Sequence, residues 1–186
     1  MNPALYQPRA DLAAMLAELG IPANYGAEPC LPCYEEARNL VEVEANFTGK
    51  VQQLERNTAK RWHGMKLAAL ADGIELQLVS GFRSIARQKE LIAEKLAAGK
   101  SIDEILKVVA APGFSQHHTG MALDLTTGDV DPLSEDFEAT PAFRWLHKHA
   151  GERGFYLPYP RGNPFDFVYE PWHWASIQLL AGKDQL

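Results

Sequence analysis

The segment 115–126 constrains the fold of this chain most, because a polar loop there leads into a strand with two different faces. Apolar and polar residues alternate over 121–126, which predicts a strand. Its apolar face holds Met121, Leu123 and Leu125. That face must be core, so Asp124 points into a cleft on the opposite face. Gly120 allows a close approach of the backbone before the strand, and His117 lies in the loop that enters it.

Proline and glycine breaks divide the rest of the chain into short periodic segments. Helices are predicted over 9–19, about 35–71 with a possible interruption near Gly49, 84–98, a short stretch from Ser101, 141–150, and a C-terminal stretch from Pro171. Strands are predicted over 74–79, 121–126 and 165–170. Few strands among helices, without a βαβ rhythm, indicate an α+β fold with a small antiparallel sheet flanked by helices.

The charge balance limits the partners of the chain. Lys and Arg number 18 against 24 Asp and Glu, a formal net charge of -6. Nucleic-acid binding relies on clustered cations, so we expect no nucleic-acid partner. No apolar run approaches the roughly 20 residues that span a bilayer. The first residues lack the basic start and apolar block of a signal peptide. We expect a cytoplasmic chain, a processed form, or export by another route.

Two cysteines, Cys30 and Cys33, are separated by two residues. A redox pair or half of a metal site is one interpretation. A four-thiolate zinc site needs a second pair, which the sequence lacks. A structural turn is the alternative that we favour, and the role of the pair stays open.

Three of the six histidines lie at junctions between elements, where functional groups are often held. His117 and His118 precede the strand at 121–126, and His173 follows Pro171. His63, His147 and His149 fall in helical stretches and are interpreted as ordinary surface histidines. A His and an Asp need a third ligand to form a catalytic zinc site. His173 is the available donor, and a helix starting at Pro171 would let Glu170 face the same point.

The sequence Ser115-Gln116-His117-His118-Thr119-Gly120-Met121-Ala122-Leu123-Asp124 resembles the Ser-x-His-x-x-Gly-x-Ala-x-Asp motif of the VanY-type zinc D-alanyl-D-alanine carboxypeptidases. Glu170-Pro171-Trp172-His173 is similar to the Glu-x-Trp-His motif of that family, and Ser80-Gly81-Phe82-Arg83-Ser84 with Gln88 to its Gly-Tyr/Phe-Arg-Ser-x-x-x-Gln element. The three motifs occur in the family order over about residues 60–180. We therefore divide the chain into a helical N-terminal extension, 1–50, and a catalytic domain of zinc D,D-peptidase-like fold, 51–186.

The resemblance implies roles for individual residues. The zinc ligands of the family fall on His117, Asp124 and His173, and its catalytic base falls on Glu170. Arg83 takes the position of an arginine that stabilises the developing oxyanion or holds a substrate carboxylate. The positions that line the substrate pocket are Gln88 and Ser115. His118 occupies a variable position, so it is not expected to be a ligand.

The resemblance thus implies a zinc metallocarboxypeptidase that removes D-alanine from peptidoglycan stem peptides. The same zinc site would serve an L,D-carboxypeptidase, a D-Ala-D-Ala dipeptidase or a peptidoglycan endopeptidase, since the motifs do not encode the pocket walls. A non-catalytic module that binds peptidoglycan peptides is an alternative of a different class. The sequence leaves the choice of bond and the oligomeric state open.

Overall fold

The computed structural model describes residues 9–181. Its helices are α1 Ala10–Glu18, α2 Arg56–Ala71, α3 Ile85–Ala97, α4 Ile102–Leu106, α5 Pro141–His149 and α6 Gln178–Ala181, with 3₁₀ helices at Gln116–Thr119, Glu135–Ala139 and Gly151–Arg153. Its strands are β1 Leu40–Ala45, β2 Val51–Glu55, β3 Gln77–Ser80, β4 Ala122–Thr126, β5 Phe155–Tyr156 and β6 His173–Ser176. The prediction of an α+β fold with a small antiparallel sheet is confirmed.

The central sheet has four antiparallel strands in the order β3-β4-β6-β5. β4 lies in the interior and is buried along its whole length. The apolar face predicted for this strand packs in one core, where Leu123 and Leu125 meet Trp62 and Trp174. The opposite face carries Asp124, so the sheet itself presents the site.

A second core joins α1 to the helices that follow β3. Leu12 and Leu16 of α1 pack with Ile92 of α3 and Ile105 of α4. The N-terminal helix is therefore packed onto the elements that contain the motifs. No helix among residues 9–181 combines the length and apolar character required to cross a membrane.

Several predicted helix starts are confirmed by side-chain caps. Ser84 accepts a hydrogen bond from the backbone N–H of Arg87 at the start of α3. Ser101 and Glu104 form the reciprocal capping box of α4. Thr140 caps α5, with a proline in its first turn. These starts were predictable because the stabilising contacts are local.

The prediction of one long helix over 35–71 is wrong in its first half. β1 and β2 form an antiparallel hairpin there, and α2 begins only at Arg56. The side chain of Asn46 accepts hydrogen bonds from the backbone N–H groups of Thr48 and Lys50. Gly49 supports the same turn with φ +81°. This local turn, together with the alternation of β1, stabilises a hairpin over a helix. The hairpin crosses the position between residues 50 and 51, and the division into two domains stays a prediction.

The C-terminal elements also differ from the prediction. Residues 165–170 form no regular strand, and a turn at Pro171 leads into β6 and not into a helix. β6 has strand partners on both sides, β4 and β5. These long-range backbone hydrogen bonds outweigh the local helix-start signal of the proline.

Candidate active site

Three polar side chains lie in a row across three neighbouring strands of the sheet. In the strand register Ser80 of β3 is opposite Asp124 of β4, and Asp124 is opposite His173 of β6. Directly opposite residues place their side chains on the same face. The strand pairing therefore brings together one carboxylate and one imidazole that are far apart in sequence.

His117 reaches the same point from the 3₁₀ helix Gln116–Thr119. Ser115 caps this helix and accepts a hydrogen bond from the backbone N–H of His117. Gly120 ends it in the left-handed conformation, φ +64°. A Cβ atom on Gly120 would lie 2.7 Å from the backbone nitrogen of Glu55. The close backbone approach predicted at this glycine is confirmed, and it holds His117 beside β4.

His117, Asp124 and His173 form a buried cluster whose ligand atoms all lie within 4.8 Å of one another. Nε2 of His117 is 3.1 Å from one carboxylate oxygen of Asp124. Nδ1 of His173 is 3.0 Å from the other oxygen. This is the only cluster of three or more potential ligand side chains found between residues 9 and 181.

The hydrogen-bond partner of the outer nitrogen of each imidazole determines which of its two ring nitrogens carries the proton. Nδ1 of His117 lies 2.7 Å from the carbonyl oxygen of Gly81, which can only accept, so this nitrogen carries the proton. Nε2 of His173 lies 2.9 Å from Oε1 of Gln116, so it also donates. Both inward nitrogens are then lone pairs that face the Asp124 carboxylate. Such a set of electron-pair donors fits a cation between them.

The electrostatics of the cluster favour the same protonation states. Burial lowers the pKa of His117 more than the nearby Asp124 raises it. Burial opposes charge on Asp124, but when protons take the place of a cation, hydrogen bonds from the imidazoles of His117 and His173 outweigh burial and hold the pKa of this carboxyl below its usual range. Near neutral pH the cluster therefore offers a carboxylate and a neutral imidazole of His117, which are the states that bind metals.

His118 is buried beside the cluster but belongs to the scaffold. Its Nδ1 donates to the carbonyl oxygen of Arg83 at 2.6 Å, and its Nε2 accepts from the backbone N–H of Gly113 at 3.1 Å. Burial lowers its pKa to about 4. Because both ring nitrogens are engaged by the backbone, His118 stands outside the group of potential ligands.

Glu170 lies at the edge of the cluster, with Oε2 3.8 Å from Nδ1 of His173. Its side chain is only 12% exposed. Burial raises the pKa of Glu170 to about 7; the nearby His173 lowers it by less, and Asp124 adds to the rise. The helix predicted to start at Pro171 is absent, and Glu170 instead precedes a turn in which its carbonyl accepts from the backbone N–H of His173. A carboxyl group with this pKa can both accept and donate a proton near neutral pH.

Arg83 lies between the cluster and the cavity beside it. Nη2 donates to Oγ of Ser80 at 3.1 Å and lies 3.5 Å from Oδ2 of Asp124. Nη1 donates to Oε1 of Gln88 at 3.2 Å. The amide nitrogen of Gln88 donates in turn to the carbonyl oxygen of Ala110. Both ends of the Gln88 amide therefore form hydrogen bonds within the protein, and Gln88 holds the Arg83 guanidinium in its orientation.

A cavity of about 390 Å³ opens onto the cluster. All seven residues singled out from the sequence line it: Arg83, Gln88, Ser115, His117, Asp124, Glu170 and His173. Among the aromatic residues near the last motif, Tyr159 and Trp172 form part of its wall, whereas Trp174 packs in the core. Neither Cys30 nor Cys33 belongs to a potential metal cluster in the described part of the chain.

Gln116 is a functional candidate that the sequence did not reveal. It is 2% exposed, and its side chain accepts a hydrogen bond from Nε2 of His173. The amide nitrogen faces the hydroxyl of Tyr156 at 3.5 Å. Its only signal in the sequence is its position directly before His117. The contact with His173, which is distant in sequence, exists only in the folded chain.

Comparison with known proteins identifies the same region of the chain. Residues 51–178 match the family model VanY, described as D-alanyl-D-alanine carboxypeptidase. The protein YodJ of Bacillus subtilis (strain 168) is 31% identical over 186 residues, which are 96% of this chain and 64% of that protein. The chain thus spans slightly less than two thirds of this curated relative.

Two solved structures share the fold. The LD-carboxypeptidase LdcB has a TM-score of 0.69 and 32% identity, over 82% of this chain and 77% of that chain. The complex of VanYB with D-alanine-D-alanine has a TM-score of 0.60 and 25% identity, over 82% of this chain and 84% of that chain. Since the matched region holds the whole cluster and more than half of the sequence, this chain belongs to the VanY family of D-alanyl-D-alanine carboxypeptidases.

Proposed function

We propose that this protein is a zinc-dependent carboxypeptidase that hydrolyses the terminal D-Ala-D-Ala bond of peptidoglycan stem peptides. The observation that carries the proposal is the convergence of two imidazole lone pairs and one carboxylate beside a carboxyl group with a pKa of about 7. Membership of the VanY family supports a peptidase. The complex of the similar protein VanYB with D-alanine-D-alanine supports the choice of substrate.

The donor set fits zinc. Catalytic zinc sites use three protein ligands drawn from His and Asp or Glu and leave one position open. Calcium and magnesium prefer shells made entirely of oxygen, which two imidazoles do not provide. In this proposal His117, Asp124 and His173 hold the ion. Zinc in such a site supplies Lewis acidity, which polarises a carbonyl and makes water more acidic.

Glu170 serves as the general base and then as the general acid. Its carboxyl group lies beside His173 at the wall of the cavity, within reach of a water molecule between the cluster and a bound peptide. It removes the proton from the attacking water and gives it to the leaving amine of the terminal residue. A pKa near 7 suits both steps, because the group exchanges protons readily at neutral pH.

Arg83 stabilises the negative charge that develops on the scissile carbonyl oxygen. Its guanidinium is oriented by Ser80 and Gln88, so it needs little rearrangement during the reaction. Ser115 lines the same cavity and is proposed to bind the substrate backbone. Gln88 contributes to substrate binding mainly by orienting Arg83.

An L,D-carboxypeptidase is the second candidate function. It is favoured by the similarity to the LD-carboxypeptidase LdcB, with 32% identity and a TM-score of 0.69. The cluster is compatible with cleavage of either a D,D- or an L,D-peptide bond. The configuration of the penultimate residue is selected by contacts with the cavity walls and not by the residues that carry out the chemistry. The dipeptidase alternative has weaker support, the 28% identity over 144 residues to the bifunctional D-Ala-D-Ala dipeptidase and carboxypeptidase VanXYC of Enterococcus gallinarum. The endopeptidase and non-catalytic binding alternatives have no comparable observation in their favour.

The two candidates are separated by their products. Zinc-loaded protein is incubated with stem peptides that end in D-Ala-D-Ala and with stem peptides one residue shorter, and the products are identified by mass. Loss of one alanine from the longer peptide alone supports the D,D-carboxypeptidase. Loss of alanine from the shorter peptide supports the L,D-carboxypeptidase, and release of an intact dipeptide would point to the dipeptidase. Stoichiometric binding without any product would contradict an enzymatic function.

A further inference from the structure

Lys95 lies at the end of the cavity that the reaction chemistry does not use. It is half-buried in the last turn of α3 and lines the same cavity as the catalytic cluster. Between residues 9 and 181 its ammonium group has no ion pair and no side-chain hydrogen bond. Gln88, which contacts Arg83, lies seven residues earlier on the same helix. At 1.5 Å per residue the two backbone positions are about 10 Å apart.

The walls between these two positions are apolar. Leu91, Val109 and Phe167 line the cavity, and Val108 and Val168 do so while remaining 43% and 36% exposed. Such walls can cover the hydrocarbon part of a peptide but offer no partner for a cation. The two carboxylates of the cavity, Asp124 and Glu170, belong to the reactive end. Lys95 is therefore available to a negative group brought by a ligand.

We propose that Lys95 binds a side-chain carboxylate of the substrate, so that the enzyme prefers peptides with an acidic side chain on the third residue from the C-terminus. The separation of about 10 Å between the Gln88 and Lys95 positions fits such a substrate. One peptide residue spans about 3.3 Å, and an extended side chain of several bonds covers the rest. This inference rests on the proposed function and adds the substrate class. The alternative is a purely structural role, in which Lys95 only compensates the dipole at the C-terminal end of α3.

The test uses two tripeptides that differ in one charge. Both have the form N-acetyl-X-D-Ala-D-Ala, where X is L-2-aminoadipate or its side-chain amide. Lys95→Gln should lower kcat/KM for the acidic peptide about tenfold or more, the size of one charge-assisted hydrogen bond. The amide peptide should be unaffected, and Lys95→Arg should recover most of the preference. Lys89→Gln is the matched control, because Lys89 lies on the same helix as Lys95 but outside the cavity, where it pairs with Glu18 of α1.

Binding separates this inference from the proposed function. The affinities of both peptides are measured by calorimetry for zinc-loaded Glu170→Gln protein, with and without Lys95→Gln. A preference for the acidic peptide that disappears with Lys95 would support the subsite even if neither peptide is hydrolysed. Equal losses for both peptides, or no loss, would overturn the subsite even if hydrolysis proceeds. A lower melting temperature with unchanged peptide preference would assign Lys95 to the helix dipole alone.

Gln116 links the N-terminal segment to the catalytic cluster. Its amide oxygen accepts from Nε2 of His173 at 2.9 Å. Its amide nitrogen faces the hydroxyl of Tyr156. Its side chain is also near enough to the Tyr34 hydroxyl to counter part of the rise in the pKa of Tyr34 that burial causes. Tyr34 precedes the hairpin and is anchored by a backbone hydrogen bond to Gly113 of 2.7 Å. The amide nitrogen thus faces Tyr156, and the amide oxygen faces His173.

We infer that Tyr34 and Tyr156 are positioning residues that act on the metal site through Gln116. By orienting the amide they place the proton of His173 on Nε2 and leave the Nδ1 lone pair directed at Asp124. The N-terminal segment then completes the site, in addition to its packing. A role of this kind requires that Tyr34 has no effect once Gln116 is removed.

Zinc affinity, measured by competition with a chelator, tests this coupling. Gln116→Met should weaken zinc binding about 10- to 100-fold, the usual cost of losing the partner of a ligand histidine. Gln116→Glu keeps an oxygen acceptor and should recover part of the affinity. Tyr34→Phe should weaken binding in the native protein but not in the Gln116→Met background. Tyr25→Phe is the matched control, because Tyr25 lies in the same N-terminal segment and its partly buried hydroxyl accepts from the backbone N–H of Ala111, away from Gln116. Additive effects of Tyr34→Phe and Gln116→Met, or no effect of Tyr34→Phe, would overturn the inference.

Discussion

Asp124 and His173 are direct partners across two antiparallel strands, with Oδ1 of the carboxylate 3.0 Å from Nδ1 of the imidazole. They are 49 residues apart in the chain. The backbone ladder between β4 and β6 sets their separation, so the two proposed ligands are held by the most buried part of the sheet. A site built on paired strands needs little reorganisation when a metal binds, which favours tight binding.

We expect His117→Ala to abolish most zinc binding, since it removes one of three proposed ligands. His118→Ala should keep one zinc per folded molecule, because both of its nitrogens bond to the backbone outside the cluster. The loss of these bonds leaves buried backbone groups unpaired and should cost about 1–3 kcal/mol of unfolding free energy. Metal analysis and urea unfolding of both variants provide the measurement. Equal zinc loss in the two variants would show that the wrong histidine was assigned.

Arg83→Lys should lower kcat about 10²- to 10³-fold, the usual effect of removing an oxyanion donor. Lysine keeps the charge, but it cannot make the separate hydrogen bonds from Nη1 and Nη2 to Gln88 and Ser80. Zinc content should not change. Arg87→Lys is the control, since Arg87 is paired with Glu90 and Glu94 on the same helix and does not line the cavity at the cluster. Unaltered kinetics in Arg83→Lys would contradict its role in the reaction.

Glu170→Gln should lower turnover about 10²- to 10⁴-fold, because an amide of the same size cannot accept the proton. Zinc should stay bound, since Glu170 is proposed as a base and not as a ligand. D-Alanine release and zinc content are measured on the same preparation. Near-normal turnover per folded molecule would remove Glu170 from the mechanism.

The same substitution should change how stability depends on pH in the metal-free protein. The pKa of Glu170 is raised by burial from 4.5 to about 7, so folding favours its protonated form. This contribution is complete below about pH 4.5 and is lost as the pH rises through about 7. Relative to the native protein, Glu170→Gln should therefore gain up to about 3 kcal/mol between pH 4 and pH 8. Urea unfolding at several pH values measures the gain, with the exposed Glu152→Gln as control. A stability difference that is constant with pH would contradict the buried, protonatable state.

The helix caps and the strand that bears Asp124 were predictable because their determinants are close in sequence. Ser84, Ser101 and Thr140 each bond to a backbone group within three residues. The alternation of apolar and polar residues at 121–126 indicates one buried face of a strand, independently of the rest of the sequence. The hairpin β1–β2 and the strand β6 were not predicted. The hairpin depends on the pairing of β1 with β2 across the turn at Asn46. β6 depends on pairing with the distant strand β4, and the proline before it indicated a helix instead.

The sequence by itself determined which residue types are available for chemistry: two histidines, an aspartate, a glutamate and an arginine in three motifs of recognisable spacing. Only the tertiary structure decided how they act. The strand register places Asp124 between Ser80 and His173. Long-range hydrogen bonds to Gly81 and Gln116 determine which nitrogen of each imidazole faces the carboxylate. Burial raises the pKa of Glu170, and burial depends on every element packed around it. Position, tautomer and desolvation are properties of the folded chain, because each arises from atoms that are distant in sequence.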